Sequence, residues 1–105
     1  TIVKGANQEN AAYPSGLCAE RTAMFAASAN NPGKAMLSLA IVGGFNGTLS
    51  ETPCSPCGAC RQVMAEYQTL SGQAMSVIMY GTKKTWKFDK VDDILPFIFD
   101  SFNEK

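Results

Sequence analysis

The sequence predicts a three-layer α/β domain, and three observations lead to this fold class. Candidate helices and strands alternate along the chain, as they do when helices cover a sheet. Two runs, residues 35–42 and 75–80, are almost continuously apolar and have the length of strands. The 105 residues, of which 46% are hydrophobic, suffice for one core, so a single domain over residues 1–105 is expected.

The first half of the chain is predicted to pass from a strand end through a helix to a buried strand. Residues 1–4 have the pattern of a strand end, and residues 5–16 are polar and turn-rich. A helix begins at Cys18 and ends at the Asn-Asn-Pro-Gly sequence of residues 30–33. One face of this helix carries small residues at i, i+3, i+4, i+7 and i+8, namely Ala19, Thr22, Ala23, Ala26 and Ala27. Residues 35–42 then form a strand buried on both faces.

The second half repeats the alternation of helix and strand. A loop leads to a helix predicted over residues 57–67. Its inner face carries Cys60, Val63, Met64 and Tyr67. Residues 75–80 form another buried strand, and a turn leads to a short strand at Trp86–Phe88. Residues 91–102 are predicted to be a C-terminal helix, interrupted near Pro96.

Charge and composition exclude several classes of function. Nine basic and nine acidic residues give a net charge of zero, whereas a protein that holds a phosphate backbone has a basic surface. The lysines at 83, 84 and 87 have the pattern of a solvated turn, so no nucleic-acid partner is predicted and a small neutral substrate is favoured. No apolar run has the roughly 18 residues of a membrane span and no export signal is present, which predicts a cytoplasmic protein without a membrane partner. The absence of histidine excludes histidine bases and histidine metal ligands.

Three cysteines and a glutamate carry the chemistry that the sequence predicts. Cys57 and Cys60 lie three apart at the start of a helix, where the positive end of the helix dipole favours thiolates. Cys18 takes the matching place on the first helix, and Glu20 follows it closely. A catalytic zinc site needs three protein ligands, an open fourth position and a proton shuttle. The pattern is that of zinc nucleobase deaminases, with Zn²⁺ on the three thiolates and Glu20 as the shuttle.

The predicted site also needs a nearby cation, because three thiolates on one Zn²⁺ leave a net negative charge that weakens the pull on a bound water. Arg21, directly after Glu20, is predicted to donate hydrogen bonds to the sulfurs and to spread this charge. Arg61, directly after Cys60, is a second and weaker candidate. Cys54 as a fourth thiolate would close the site and leave Glu20 without a role, so Cys54 is predicted to be a small buried or half-buried thiol.

Three stretches of the chain carry a family resemblance: residues 7–13 (Asn-Gln-Glu-Asn-Ala-Ala-Tyr), 18–23 (Cys-Ala-Glu-Arg-Thr-Ala) and 55–62 (Ser-Pro-Cys-Gly-Ala-Cys-Arg-Gln). Together they closely resemble the cytidine deaminases of the short, homotetrameric, three-cysteine zinc class, and the likeness extends from about Thr1 to Pro96. The resemblance implies an α/β/α sandwich with a mixed central sheet. It also implies zinc-dependent hydrolytic deamination of cytidine and 2′-deoxycytidine in pyrimidine salvage. The family begins with a helix and a strand that have no counterpart before Thr1, so the domain is expected to be N-terminally incomplete.

The resemblance also implies roles for single residues. The zinc ligands and the proton shuttle would be Cys18, Cys57, Cys60 and Glu20. Asn7 and Glu9 match the pair that hydrogen-bonds the ribose hydroxyls, and their spacing of two in an extended segment directs both side chains to one side. Ala19 matches a position that contacts the pyrimidine ring through its backbone. Tyr13 would lie near a subunit interface of a homotetramer, and Phe99 matches a region close to the site.

Two alternatives stay open. One keeps the zinc site but acts on another aminopyrimidine, as a blasticidin-type or nucleic-acid cytosine deaminase does. The other is a structural zinc module without chemistry, in which Cys54 is the fourth ligand. Four cysteines in a short chain also fit a disulfide framework, but the ligand-like spacing of Cys57 and Cys60 and the missing export signal speak against it.

Overall fold

The computed structural model describes residues 1–100, in which two helices and five strands are found. They are, in chain order, α1 (Ala19–Asn30), β1 (Ser38–Val42), β2 (Gly44–Phe45), β3 (Thr48–Leu49), α2 (Gly58–Ser71), β4 (Ser76–Tyr80) and β5 (Trp86–Phe88). In the larger sheet β4 is central, parallel to β1 and antiparallel to β5. This mixed sheet and its helices confirm the predicted α/β class. Neither helix of the described part has the length and hydropathy of a membrane span.

The core lies between the two helices and one face of the larger sheet. Ile41 of β1 is paired with Met79 of β4, and Val77 points to the same face because side chains alternate along a strand. These three side chains are buried, as are Met24 of α1 and Met64 of α2, which belong to the same apolar cluster. Both helices therefore cover the same face of the sheet.

The opposite face of the sheet is not covered by any other part of residues 1–100, so the prediction of strands buried on both faces is wrong. Val42 and Tyr80, which are paired across β1 and β4, are 58% and 42% exposed. The first strand is also shorter than predicted, because it begins at Ser38. Residues 1–100 supply the sheet and one helical layer of the predicted three-layer sandwich.

The structure differs from the prediction near both ends of the described part. Residues 1–4 form no strand. The helix predicted over residues 91–102 is reduced to a 3-10 turn at Val91–Asp93, and no α-helix follows as far as residue 100. Pro96 cannot donate a backbone hydrogen bond, which disfavours a continuous helix at this place. The last two positions of the predicted helix lie outside the described residues.

A small hairpin, β2 paired antiparallel with β3, occupies part of the loop that the sequence predicts before the second helix. Its turn consists of Asn46 and Gly47, whose φ angles are 51° and 78°. Hairpin turns of this kind need positive φ at both central residues, and Asn-Gly is their preferred pair. The Asn-Gly pair was therefore a local signal for this hairpin, but the sequence analysis relied on the alternation of helices and strands and did not use it.

Candidate metal centre

The N-terminal ends of α1 and α2 meet, and a cysteine caps each of them. Cys18 is the N-cap residue of α1 and Cys57 that of α2, while Cys60 lies in the first turn of α2. The Sγ atom of Cys57 is 3.8 Å from that of Cys18 and 3.4 Å from that of Cys60. All three sulfurs lie within 4.8 Å of one another. The structure thus brings together the three predicted metal ligands.

The spacing of the three sulfurs fits a zinc ion. Zn–S bonds of about 2.3 Å in tetrahedral geometry put the sulfurs of one site about 3.8 Å apart. Thiolates are soft ligands, a type that suits zinc, and they lie at helix ends where negative charge is favoured. Within residues 1–100 the metal-binding group consists of these three residues. Three ligands leave the fourth tetrahedral position to water or substrate, which is the arrangement of a catalytic zinc site.

The two cysteines at the start of α2 have thiol pKa values that are shifted in opposite directions. The backbone N–H of Cys60 donates to the Sγ atom of Cys57 at 3.5 Å and lowers the pKa of the Cys57 thiol from its ordinary value. Cys60 itself is inaccessible to solvent, and burial raises its pKa to about 12. A metal ion binds the thiolate form, so a cation is what makes a buried thiolate at Cys60 favourable.

Arg21 brings positive charge to the sulfurs. Its Nη2 atom donates to the Sγ atom of Cys18 at 3.5 Å. Hydrogen bonds with Cys18 and Cys60 raise the pKa of the guanidinium further above its ordinary value, so Arg21 is protonated at every physiological pH. Its Nε atom is buried and finds no hydrogen-bond partner among residues 1–100. The hydrogen bond from Arg21 to the Cys18 sulfur is the contact that the sequence analysis expects of a residue that spreads the charge of the thiolates.

Arg61 has a different role from the one that the sequence predicts. Its Nε and Nη1 atoms donate to the backbone carbonyls of Pro56 and Ile94, both at 2.9 Å. The side chain therefore ties the segment just before Cys57 to the segment that follows the last 3-10 turn. No local pattern signals this, because Ile94 lies 33 residues away along the chain.

Cys54 lies apart from the metal centre. Its Sγ atom is 3.9 Å from the hydroxyl of Ser50 and packs so closely on Gly43 that a Cβ there would lie 2.3 Å from it. The side chain is half-buried, which agrees with the predicted small thiol. A closed site with four thiolates, as a structural zinc module requires, is not what the described residues form.

Glu20 stands in the first turn of α1, two residues after the cap Cys18. Its side chain is half-buried, and its carboxylate has no hydrogen bond or ion pair with other residues in the 1–100 range. Its negative charge is close enough to contribute to the raised pKa of Cys60. Glu20 therefore stands near the three cysteines with its carboxylate unpaired within the described residues.

The predicted substrate residues lie next to the start of α1. The Oδ1 atom of Asn7 accepts a hydrogen bond from the backbone N–H of Ala19 at 2.8 Å. Asn7 therefore satisfies one of the unpaired donors at the helix end, a role that the sequence analysis missed because the two residues are 12 apart. Glu9 lines an open cleft of about 510 Å³ together with Asn10, Tyr13 and neighbouring residues.

The sequence of the chain matches known proteins over most of its length. A family model described as the cytidine and deoxycytidylate deaminase zinc-binding region matches residues 1–76. A cytidine deaminase of Sporosarcina psychrophila is 39% identical over 99 residues, which cover 94% of this chain and 66% of that protein. A cytidine deaminase of Halalkalibacterium halodurans is 44% identical over 66 residues, or 63% of this chain and 46% of that protein. The chain thus spans less than two thirds of the length of these two relatives.

The fold is also similar to a solved structure. The crystal structure of cytidine deaminase from Burkholderia pseudomallei superimposes with a TM-score of 0.69 at 36% sequence identity. The match covers 90% of this chain and 69% of that one.

A third sequence relative, a cytidine deaminase of Mycoplasma pneumoniae, is 36% identical over 100 residues. The matched region covers 95% of this chain and 70% of that protein. The likeness therefore includes the segments that carry all three sulfurs.

Proposed function

The chain belongs to the family of the cytidine and deoxycytidylate deaminase zinc-binding region, and on this premise we propose that it hydrolyses cytidine and 2′-deoxycytidine. The products are uridine or 2′-deoxyuridine and ammonia. The single observation that carries the proposal is the open group of three thiols, all within 4.8 Å of one another, with Glu20 in the adjoining helical turn. A closed structural site would have no use for this carboxylate.

Glu20 is the residue that moves protons. When bound, zinc supplies a water of lowered pKa and a Lewis acid at the fourth position. The Glu20 carboxylate, which has no partner among residues 1–100, would accept in turn the two protons that the hydrolytic water gives up. It would deliver one of these protons to the ring nitrogen of the pyrimidine and the other to the amino group that leaves as ammonia. One carboxylate serves both transfers, since the chain has no histidine.

Arg21 adjusts the charge of the site. Three thiolates around a dication carry one net negative charge, which opposes the ionisation of a bound water. The guanidinium donates to the Cys18 sulfur at 3.5 Å and offsets part of that charge. Arg21 thus favours both the thiolate form of the ligands and the reactivity of the water.

Asn7 and Glu9 bind the sugar. The amide oxygen of Asn7 is occupied by the Ala19 N–H at 2.8 Å, so the amide offers its NH₂ group to a ligand. The carboxylate of Glu9 offers acceptors only. A hydroxyl both donates and accepts, so one sugar hydroxyl can satisfy the two side chains together. The backbone of Ala19, at the start of α1, contacts the pyrimidine ring.

The substrate is a free nucleoside rather than a nucleotide or a polynucleotide. The cleft that Glu9 lines is formed by Glu9, Asn10, Ala11, Tyr13 and Gly16, a set without lysine or arginine. A phosphate group there would meet a carboxylate and no cation. The zero net charge of the chain agrees with an uncharged substrate.

The enzyme acts as a homotetramer in the cytoplasm, where it serves pyrimidine salvage, and residues 1–105 act as one catalytic domain. Two exposed aromatic side chains support the assembly: Tyr13 at the cleft is 86% exposed, and Phe97 is 93% exposed. Aromatic residues are enriched in subunit interfaces.

The test is ammonia release from cytidine by the zinc-loaded chain, measured beside the variant Glu20→Gln. We expect the variant to keep one zinc per chain and to lose turnover by about 10²- to 10⁴-fold, the usual contribution of a general acid–base residue. Glu66→Gln, the same change at an exposed position of α2, is the matched control and should turn over like the wild type. Full activity in Glu20→Gln would contradict the role of Glu20. Inactivity of the zinc-loaded wild type would contradict the proposed substrate.

A further inference from the structure

Gly5 packs at very short range against the backbone of the first half of α1. A Cβ added to Gly5 would lie 2.6 Å from the backbone nitrogen of Ala23, 2.8 Å from the carbonyl oxygen of Ala19 and 2.9 Å from the Cα atom of Ala23. All three are main-chain atoms of a helix, so rotation of a side chain cannot make room. Ala19 and Ala23 belong to the small-residue face that the sequence predicts on this helix, and Gly5 packs against it.

Two further contacts hold the same segment at the start of α1. The Oδ1 atom of Asn7 accepts from the Ala19 N–H at 2.8 Å. The backbone of Gln8 exchanges a pair of hydrogen bonds with Leu17, at 2.8 and 2.9 Å. The side chains of Asn7 and Glu9 are exposed, so their positions depend on these anchors rather than on packing around them.

We propose that Gly5 is a positioning residue for the sugar subsite. Because Gly5 has no side chain, its backbone can pack directly on the backbone of α1, and this close approach places Asn7 and Glu9 where they contact the substrate. The inference rests on the proposed function. Ordinary contacts begin at 3.4 Å, so a methyl group at position 5 would displace the segment by roughly 0.8 Å. A displacement of about 1 Å in a positioning element can lower the reaction rate about 10²-fold.

The experiment compares two substrates that differ in one hydroxyl, 2′-deoxycytidine and 2′,3′-dideoxycytidine. The readout is the ratio of their kcat/KM values, because a loss of folded or zinc-loaded enzyme lowers both values equally and leaves the ratio unchanged. In the wild type the ratio should favour 2′-deoxycytidine, whose 3′-hydroxyl meets Asn7 and Glu9. In Gly5→Ala we expect this ratio to fall by about tenfold or more, with zinc content unchanged.

Gly33→Ala is the matched control. Gly33 has a φ of 77° beyond the C-terminal end of α1, and no atom lies within 4 Å of its added Cβ. The same glycine-to-alanine change there strains the backbone without touching the subsite. Gly33→Ala should therefore keep the wild-type ratio, even where its melting temperature drops. A ratio in Gly5→Ala equal to the wild-type value would overturn the proposal, whether or not both rates fall.

Gln8→Pro provides a second variant in case Gly5→Ala does not fold. Proline removes the N–H that donates to the Leu17 carbonyl at 2.8 Å and loosens the segment at its other end. The ratio of the two kcat/KM values should again fall. An unchanged ratio would overturn the proposal that the position of this segment on α1 determines sugar binding. Failure of the proposed function looks different, because the wild type itself would then release no ammonia from 2′-deoxycytidine. A wild type that acts equally on both substrates would refute the sugar subsite on which the proposal depends.

Discussion

Helices α1 and α2 begin with nearly the same backbone and use it for different purposes. The cap residue Cys18 has φ −68° and ψ 156°, and the cap residue Cys57 has φ −69° and ψ 168°. At α2 the Cys57 sulfur accepts a hydrogen bond from the N–H of Cys60, so the helix caps itself. At α1 the Cys18 sulfur makes no such bond, and Asn7 from another segment occupies the Ala19 N–H.

The difference continues in the first helical turn. Two residues after the cap stands Glu20 in α1 and Ala59 in α2, and three residues after it stand Arg21 and Cys60. The start of α2 carries two of the three clustered cysteines, and the Cys57 side chain caps its first turn. The start of α1 carries the third cysteine, followed by Glu20 and by Arg21, whose guanidinium donates to the Cys18 sulfur. Under the proposed function, one backbone geometry supports a binding end at α2 and a reacting end at α1, and the side chains determine the difference.

Removal of a ligand from the binding end should have the largest effect. We expect Cys60→Ala to lose zinc and turnover together, because two thiols remain and an open catalytic site needs three protein ligands. Cys54→Ser is the matched control, since Cys54 contacts Ser50 and Gly43 and lies outside the group of three sulfurs. Zinc per chain by atomic absorption and ammonia release measure both variants. Loss of zinc in Cys54→Ser would instead support a closed structural site in which Cys54 is the fourth ligand.

A change at the reacting end should leave the metal in place but weaken the site. Arg21→Ala removes the hydrogen bond to the Cys18 sulfur, and we expect zinc affinity or kcat to fall by about 10- to 100-fold, as for other residues that support metal ligands. Competition with a chromogenic chelator measures the affinity.

Arg61→Ala is the control for this change, because Arg61 donates to the carbonyls of Pro56 and Ile94 and not to sulfur. It should lower the melting temperature while zinc affinity stays near the wild-type value. Equal zinc affinity and equal kcat in Arg21→Ala and the wild type would leave Arg21 without a role at the reacting end.

Local patterns in the sequence predicted the helix starts and the three cysteines that the structure brings together, because these follow from spacing within one turn. Cys57 and Cys60 were expected to share a helix face, and Cys18 was expected at the matching place on the other helix. Contacts between distant segments had no such signal. The Asn7 cap of α1 and the Arg61 bond to Ile94 join residues 12 and 33 apart. Which strand faces are covered likewise depends on the packing of other elements, and here apolar composition predicted too much burial.

The smallest expected effect concerns the cap that α1 borrows from another segment. Asn7→Ala removes the acceptor of the Ala19 N–H and should lower the free energy of unfolding by about 1 kcal/mol. Asn7→Asp keeps an acceptor and adds a negative charge at the positive end of the helix, so its stability should stay near the wild-type value. Denaturant unfolding of the three proteins measures the difference.

The same pair separates capping from sugar binding. Aspartate lacks the NH₂ group that is proposed to meet the sugar hydroxyl, so Asn7→Asp should lose activity on 2′-deoxycytidine while it keeps its stability. An aspartate variant as active as the wild type would mean that Asn7 serves α1 only as a cap. An alanine variant as stable as the wild type would mean that α1, like α2, does not depend on an outside residue for its first turn.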